Sequence, residues 1–156
     1  MPIRVVLAED QYIVREGIRR LLETQPDVEI AAVCDDLDSL LAAVEAEEPD
    51  VVVTDIRMPP GNADEGIRAA ERLRETHPDT GVVVLSQYAT PSYALALLES
   101  GSAGRSYLLK ERVQDVEQLV SAIRTVAEGG SVIDPKVVEA LVAENARGEG
   151  SPIKQL

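Results

Sequence analysis

A chain of 156 residues with 45% apolar content can bury a sizeable core and is too hydrophobic to be disordered throughout. Its 28 acidic residues outnumber 15 basic ones, and the resulting charge of -13 repels nucleic-acid phosphate, which excludes DNA binding by this chain alone. No stretch approaches the roughly 20 apolar residues of a membrane span, the amino terminus has no signal-peptide layout, and Cys34 has no second cysteine to pair with, so the expected compartment is the cytoplasm.

Strand-like and helix-like segments alternate along the chain. Ile3 to Ala8 is an apolar strand that ends at Glu9-Asp10. From Gln11 to Gln25, Val14, Ile18, Leu21 and Leu22 fall on one helical face, and Pro26 closes the helix. Val28 to Cys34 is a second strand, in which Cys34 reads as a small buried hydrophobe. Asp35-Asp36 then cap a helix carrying Leu37, Leu40, Leu41 and Val44, which Pro49 ends. Val51-Val52-Val53 is a strand buried on both faces, and it stops at Asp55. Ile56 to Asn62 is a loop by its Pro, Gly and Asn content, followed by a helix from about Asp64 to Thr76. Its end is marked by the single histidine, His77, which reads as a surface helix terminus.

Gly81 to Leu85 is a fourth strand, ending at Ser86. Pro91 starts a helix that Gly101 stops, and Arg105 to Leu109 is a fifth strand with Lys110 just beyond it. A helix from about Val113 to Glu128 closes the core and is stopped by Gly129-Gly130. After Ser131 the pattern thins to a short helix from Asp134-Pro135 to about Ala146 and a linker-like Gly148 to Pro152. Five strands alternating with five helices predict an α/β fold: a doubly wound parallel sheet of the flavodoxin-like (βα)5 type, order 2-1-3-4-5, with a C-terminal linker helix. The expected division is a domain over residues 1–130 and a linker over 131–156.

The strand ends carry the chemistry. The first delivers Glu9 and Asp10, the third Asp55, the fourth Ser86 and the fifth Lys110, and ligands of open α/β sheets bind at these carboxyl ends. Strands one and three are neighbours in the expected order, so three carboxylates would meet there. Like charges that close need a counter-charge, and oxygen-only ligands favour Mg²⁺. Structural carboxylates, with Asp55 as a helix cap, are the plainer alternative. A carboxylate beside Mg²⁺, with a lysine and a hydroxyl across the pocket, suits attack on phosphorus and formation of an acyl phosphate.

The set Glu9-Asp10, Asp55-Ile56-Arg57-Met58-Pro59, Ser86 and Tyr107-Leu108-Leu109-Lys110 resembles the receiver domain of two-component response regulators. The resemblance implies that Asp55 is the phosphoacceptor, and that Asp10, Asp55 and the backbone carbonyl of Arg57 bind Mg²⁺ directly, with Glu9 acting through water. It makes Ser86 the switch hydroxyl, Lys110 the phosphoryl-contacting lysine, and Tyr107 the aromatic that rotates inward on activation. Read without the family, Tyr107 is a half-buried strand aromatic. The tail from Gly129 to Pro135 and beyond is similar to the NarL/FixJ subfamily, which implies a LuxR-type helix-turn-helix domain after the linker, with Ser151 to Leu156 at its threshold. On that reading the chain is a piece lacking its DNA-binding half. The implied partners are a sensor histidine kinase and a second copy in a phosphorylation-linked homodimer through helices one and five, with no membrane. It would be no enzyme in the ordinary sense, catalysing only its own phosphorylation and dephosphorylation.

Two departures from the family pattern stand out. The expected glycine about eight residues past the phosphoacceptor has its counterpart in Gly66, so the loop after Pro59 is longer by about three residues. Arg57 and Tyr88 fill the two positions that in this family tune dephosphorylation. Among alternatives, a haloacid-dehalogenase-like phosphotransferase needs an Asp where Arg57 stands, and a flavodoxin would want hydroxyls where Glu9-Asp10 stand. A pseudo-receiver that binds partners without phosphorylation is the strongest rival.

Overall fold

The computed structural model describes residues 2–149. The elements in chain order are β1 (Ile3–Ala8), α1 (Tyr12–Glu23), β2 (Val28–Cys34), α2 (Leu37–Glu47), β3 (Val51–Asp55), α3 (Glu65–Thr76), β4 (Gly81–Ser86), α4 (Pro91–Leu98), β5 (Arg105–Leu109), α5 (Val116–Ala127), β6 (Val132–Ile133) and α6 (Pro135–Glu149). All pairings are parallel, in the order β2-β1-β3-β4-β5-β6. The flavodoxin-like order 2-1-3-4-5 therefore holds, with one short strand added at the β5 edge.

Alternation along the strands builds two cores. Val6, Val52, Val82 and Val84 face one side, where Leu40 and Val44 of α2, Ile67 and Leu73 of α3, and Ala94 and Leu97 of α4 cover them. Val5, Leu7, Val51, Val53, Val83 and Leu85 face the other, under Ile18 and Leu22 of α1 and Leu119 and Ile123 of α5. Every residue of β3 and β4 is buried. Burying a Val or Leu side chain contributes about 1.5–3 kcal/mol, so these strands hold the register on which the site depends.

The local signals explain most boundaries. Asp36 caps α2 by accepting from Ser39 N at 2.7 Å, and the Ser39 hydroxyl answers in a capping box. Cys34 is buried, with its Sγ donating to Ser39 O. His77 ends α3, its Nδ1 2.8 Å from Thr76 Oγ1.

Two expectations shift. The last core helix begins at Val116 rather than Val113, because Lys110–Gln114 forms a 3-10 turn and Asp115 caps α5 through Glu117 N at 3.1 Å. The segment after Gly130 also forms a strand. Gly129, at φ 88, turns the chain back, and β6 pairs with Ser106 and Tyr107 of β5. The helix of the tail then lays Val137 into the core beside Tyr107 and Leu97. α6 runs to Glu149, past the expected end near Ala146, so Gly148 and Glu149, expected at the start of the linker, are helical; the rest of the linker to Pro152 and the threshold from Ser151 to Leu156 lie outside the described residues.

Candidate functional site

β1 and β3 lie side by side and their neighbouring helices depart to opposite faces, which leaves a crevice at their carboxyl ends. The structure opens a cleft of about 270 Å³ there, lined by Asp10, Asp55, Arg57, Ser86, Tyr88 and Lys110 among others. One oxygen each of Glu9, Asp10 and Asp55 lies within 4.8 Å of the others. Side chains from four strand ends, scattered over a hundred positions of sequence, thus converge as expected.

Lys110 is the centre of the charge arrangement. Its Nζ is 2.7 Å from Glu9 Oε1 and 3.3 Å from Asp55 Oδ2. Glu9 is 1% exposed, and its other oxygen accepts from Gln11 N at 3.2 Å. Burial pushes the Glu9 carboxyl up, but the Lys110 ammonium and the amide outweigh it and hold the group below its usual range. Asp55 fares oppositely: burial, then the Glu9 charge, raise its carboxyl to about 7 against the pull of Lys110. Burial and Glu9 also raise Asp10. Lys110 itself is disfavoured as a cation by burial, yet the two carboxylates raise it above its ordinary value.

Three carboxylates against one ammonium leave the cleft short of positive charge. The raised Asp10 and Asp55 mark where the deficit falls. An oxygen-only donor set with a charge deficit fits a small hard divalent cation. Arg57 lines the same cleft.

A stability consequence follows from Asp55. Its folded carboxyl titrates well above its unfolded value, so the native state loses stability as pH rises from about 4 through about 7, where Asp55 is forced to ionise. Asp55→Asn removes that loss. In the absence of divalent cations the variant is expected to exceed wild type by about 2 kcal/mol at pH 8 and to match it near pH 4, read by chemical denaturation. Added Mg²⁺ should narrow the gap at pH 8 by stabilising wild type alone.

Ser86 lines the cleft, and Tyr107 lies one layer further in. Ser86 Oγ donates to Tyr88 O at 2.9 Å, and Tyr107 Oη donates to the same carbonyl at 2.9 Å. Tyr107 is fully buried rather than half-buried, and Thr90 N also reaches its hydroxyl at 3.4 Å. Tyr88 itself is 60% exposed at the rim.

The lengthened loop is held by a residue that the sequence reading passed over. Glu65, fully buried at the start of α3, accepts from Gly61 N at 2.7 Å and from Ala63 N at 2.8 Å, and pairs with Arg68 Nη2 at 3.0 Å. Tyr93 of α4 completes the wall. Its hydroxyl accepts from Arg57 Nε at 3.3 Å and donates to Ala63 O at 3.2 Å. A Glu three residues before an Arg reads as a surface helical pair, which is why Glu65 gave no signal. Gly66, at the start of α3, packs directly against the end of β3. Its N–H donates to Ile56 O at 2.8 Å, and a Cβ there would stand 2.1 Å from Asp55 O.

Comparison with known proteins agrees with this geometry. Residues 5–124 match the family described as response regulator receiver domain. The transcriptional regulatory protein DegU of Brevibacillus brevis is 38% identical over 145 residues, covering 93% of this chain and 58% of the relative. The oxygen regulatory protein NreC of Staphylococcus carnosus is 35% identical over 148 residues, covering 95% of this chain and 65% of the relative. The chain therefore spans about three fifths of the length of these relatives. A LuxR-family two-component response regulator from Aurantimonas sp. SI85-9A1 superposes with a TM-score of 0.77 at 27% identity, covering 94% of this chain and 99% of that one. The signal receiver domain of the putative response regulator NarL from Mycobacterium tuberculosis gives 0.67 at 30% identity, covering 79% and 97%. No helix among the described residues is long and apolar enough to cross a membrane. With the strand order, the acidic crevice and these matches in agreement, the chain belongs to the receiver domains of two-component response regulators, of the NarL/LuxR type.

Proposed function

We propose that this domain is a phosphorylation-dependent signalling switch that accepts a phosphoryl group on Asp55. The observation that carries the reading is the placement of Asp55 at a strand end, with Lys110 Nζ 3.3 Å from one oxygen and the Glu9 and Asp10 carboxylates beside it. An Asp55 carboxylate oxygen attacks the phosphorus, forming an acyl phosphate. The bond from phosphorus to the donor breaks, and the donor, a phosphohistidine nitrogen or a small-molecule oxygen, leaves with the electron pair. Lys110 neutralises charge gathering on the phosphoryl oxygens, which is where electrostatic catalysis acts. Asp10, Asp55 and the Arg57 carbonyl would hold Mg²⁺ directly and Glu9 through water; when bound, the cation supplies further neutralisation of those oxygens.

The response runs through a shared acceptor. Ser86 and Tyr107 both donate to Tyr88 O, so a phosphoryl group that draws Ser86 Oγ away leaves that carbonyl to Tyr107 alone. Phosphorylation thereby favours an arrangement in which the β4–α4 loop and Tyr107 settle together, and it shifts the equilibrium by that differential interaction. Arg57 and Tyr88 flank the cleft where a hydrolytic water would approach, and they set the lifetime of the acyl phosphate. The donor is a sensor histidine kinase in the cytoplasm. The output is a change in the α4–β5–α5 face and pairing of two copies through α1 and α5. That pairing would bring two helix-turn-helix domains onto DNA.

Incubation with acetyl phosphate and Mg²⁺, followed by intact mass measurement, tests the reading. Wild type is expected to gain one phosphoryl group and Asp55→Asn none. A wild type that gains nothing would identify a phosphorylation-independent binding module instead.

A further inference from the structure

The turn that carries Lys110 is rooted in the core by Val113 but has no side-chain cap of its own. Lys110–Gln114 is a single 3-10 turn at the mouth of the sheet. A lysine side chain has a flexible stem, so the position of Nζ depends on how firmly the backbone beneath it is held.

Asp134 supplies that hold from the tail. Its side chain is completely buried, at the junction of β6 and α6. Oδ2 accepts from Leu109 N at 3.1 Å and from Arg112 Nε at 2.9 Å, and Oδ1 accepts from Arg112 Nη2 at 3.1 Å and Lys136 N at 3.0 Å. The Asp134 amide in turn donates to Tyr107 O at 2.8 Å. Starting α6 requires only the bond to Lys136 N, which a serine or asparagine would make equally well. The forked pair with Arg112 and the bond to Leu109 N go beyond capping, and they grip the residue just before Lys110 and the residue two after it. Charge-assisted, bidentate bonds of this kind fix geometry as well as contribute energy.

We infer that Asp134, acting with Arg112, is a positioning residue for Lys110, which makes the segment after Gly130 part of the support of the phosphoryl site. The inference rests on the phosphoacceptor reading of Asp55. It also gives the tail a physical link to the site: whatever moves the Lys110 turn moves the first turn of α6, and docking of α6 in turn sets Lys110.

The test uses the full chain, acetyl phosphate and Mg²⁺, with phosphoryl incorporation followed by intact mass over a range of donor concentrations. Arg112→Gln and Asp134→Asn are expected to lower the maximal rate on the order of tenfold while leaving the half-saturating donor concentration within about twofold, because positioning acts on the transition state. Arg112→Lys keeps the charge against Asp134 but loses the fork, and should recover only part of the loss. Arg112→Gln at the wild-type maximal rate, equal slowing by Arg112→Lys, or a loss confined to half-saturation would each overturn the inference. If Asp134→Asn fails to fold, the Arg112 pair decides, since that side chain is 27% exposed and lies outside the core. A wild type that takes up no phosphoryl group would defeat the phosphoacceptor reading itself. An active wild type with an unaffected Arg112→Gln would defeat only the positioning role.

Discussion

Lys110→Met is expected to slow phosphoryl transfer to Asp55 by about a hundredfold or more, and to destabilise the fold at alkaline pH. On the proposed role of Asp55, the kinetic effect follows from removing the Lys110 ammonium, which lies 3.3 Å from Asp55 Oδ2, beside the oxygens on which charge would accumulate in the transition state. The stability effect follows from Glu9. That carboxylate is buried, and its Oε1 lies 2.7 Å from Lys110 Nζ. Removing one partner of a buried pair costs about 3–5 kcal/mol, because the other charge stays buried alone.

The pH dependence gives this prediction a distinctive signature. In wild type the Glu9 carboxyl is held below its unfolded value, so its contribution is present above that value and is lost as pH falls. Without Lys110, the cost of burial would dominate and drive Glu9 upward. The variant's deficit should therefore be largest near pH 8 and shrink towards pH 5, where the carboxyl can take a proton. Denaturation curves at the two pH values, run without divalent cations, measure it.

Gly66→Ala is the second large effect, and it tests the link between the lengthened loop and the end of β3 that carries Asp55. A Cβ at this position would meet Asp55 O at 2.1 Å, Ile56 Cα at 2.9 Å and Asp55 C at 3.0 Å. All three are backbone atoms, so no side-chain rotation relieves the clash. Either α3 withdraws, breaking the bond from Gly66 N to Ile56 O, or the end of β3 is displaced. Overpacking of this kind costs about 3 kcal/mol, at the upper end of its usual range. Because the displaced carbonyl belongs to Asp55, phosphorylation should slow in the fraction that remains folded. Gly61→Ala makes the contrast: its Cβ would meet the Glu65 carboxylate at 2.7 Å, so it should disturb the loop's hold on Glu65 while leaving the Asp55 backbone in place.

The elements visible in the sequence were those whose signals are local. The valine runs of β3 and β4, the stripe of Ile18 and Leu22, the Asp36 cap and the glycine stop at Gly129 each declare themselves within a few residues. Glu9, Asp10, Asp55, Ser86 and Lys110 were legible because each stands at the carboxyl end of a strand, so their convergence follows from topology, whereas Arg57 and Tyr107 were marked only by the family resemblance. What escaped depends on distant partners. Val132-Ile133 is too short to read as a strand, and becomes one only because β5 offers a free edge to pair with. Arg105 reads as an ordinary strand start. Folded, it is buried with its guanidinium donating to Thr80 O, Gly104 O and Ala70 O, and burial draws its titration down to about 10. Asp134 announced a helix start, which it is, but its bonds to Leu109 and Arg112 span more than twenty residues and leave no periodic trace.

The central claim is that the acidic crevice exists to place a phosphoryl group on one carboxylate, Asp55, rather than merely to gather negative charge. Borohydride reduction of the phosphorylated protein, followed by peptide mapping, tests it most directly, since an acyl phosphate on aspartate is reduced to homoserine at the modified position. The account predicts homoserine at residue 55 and unchanged Glu9, Asp10 and Ser86. Reduction at Glu9 or Asp10, or a phosphoryl group that resists borohydride because it rides on the Ser86 hydroxyl, would contradict it.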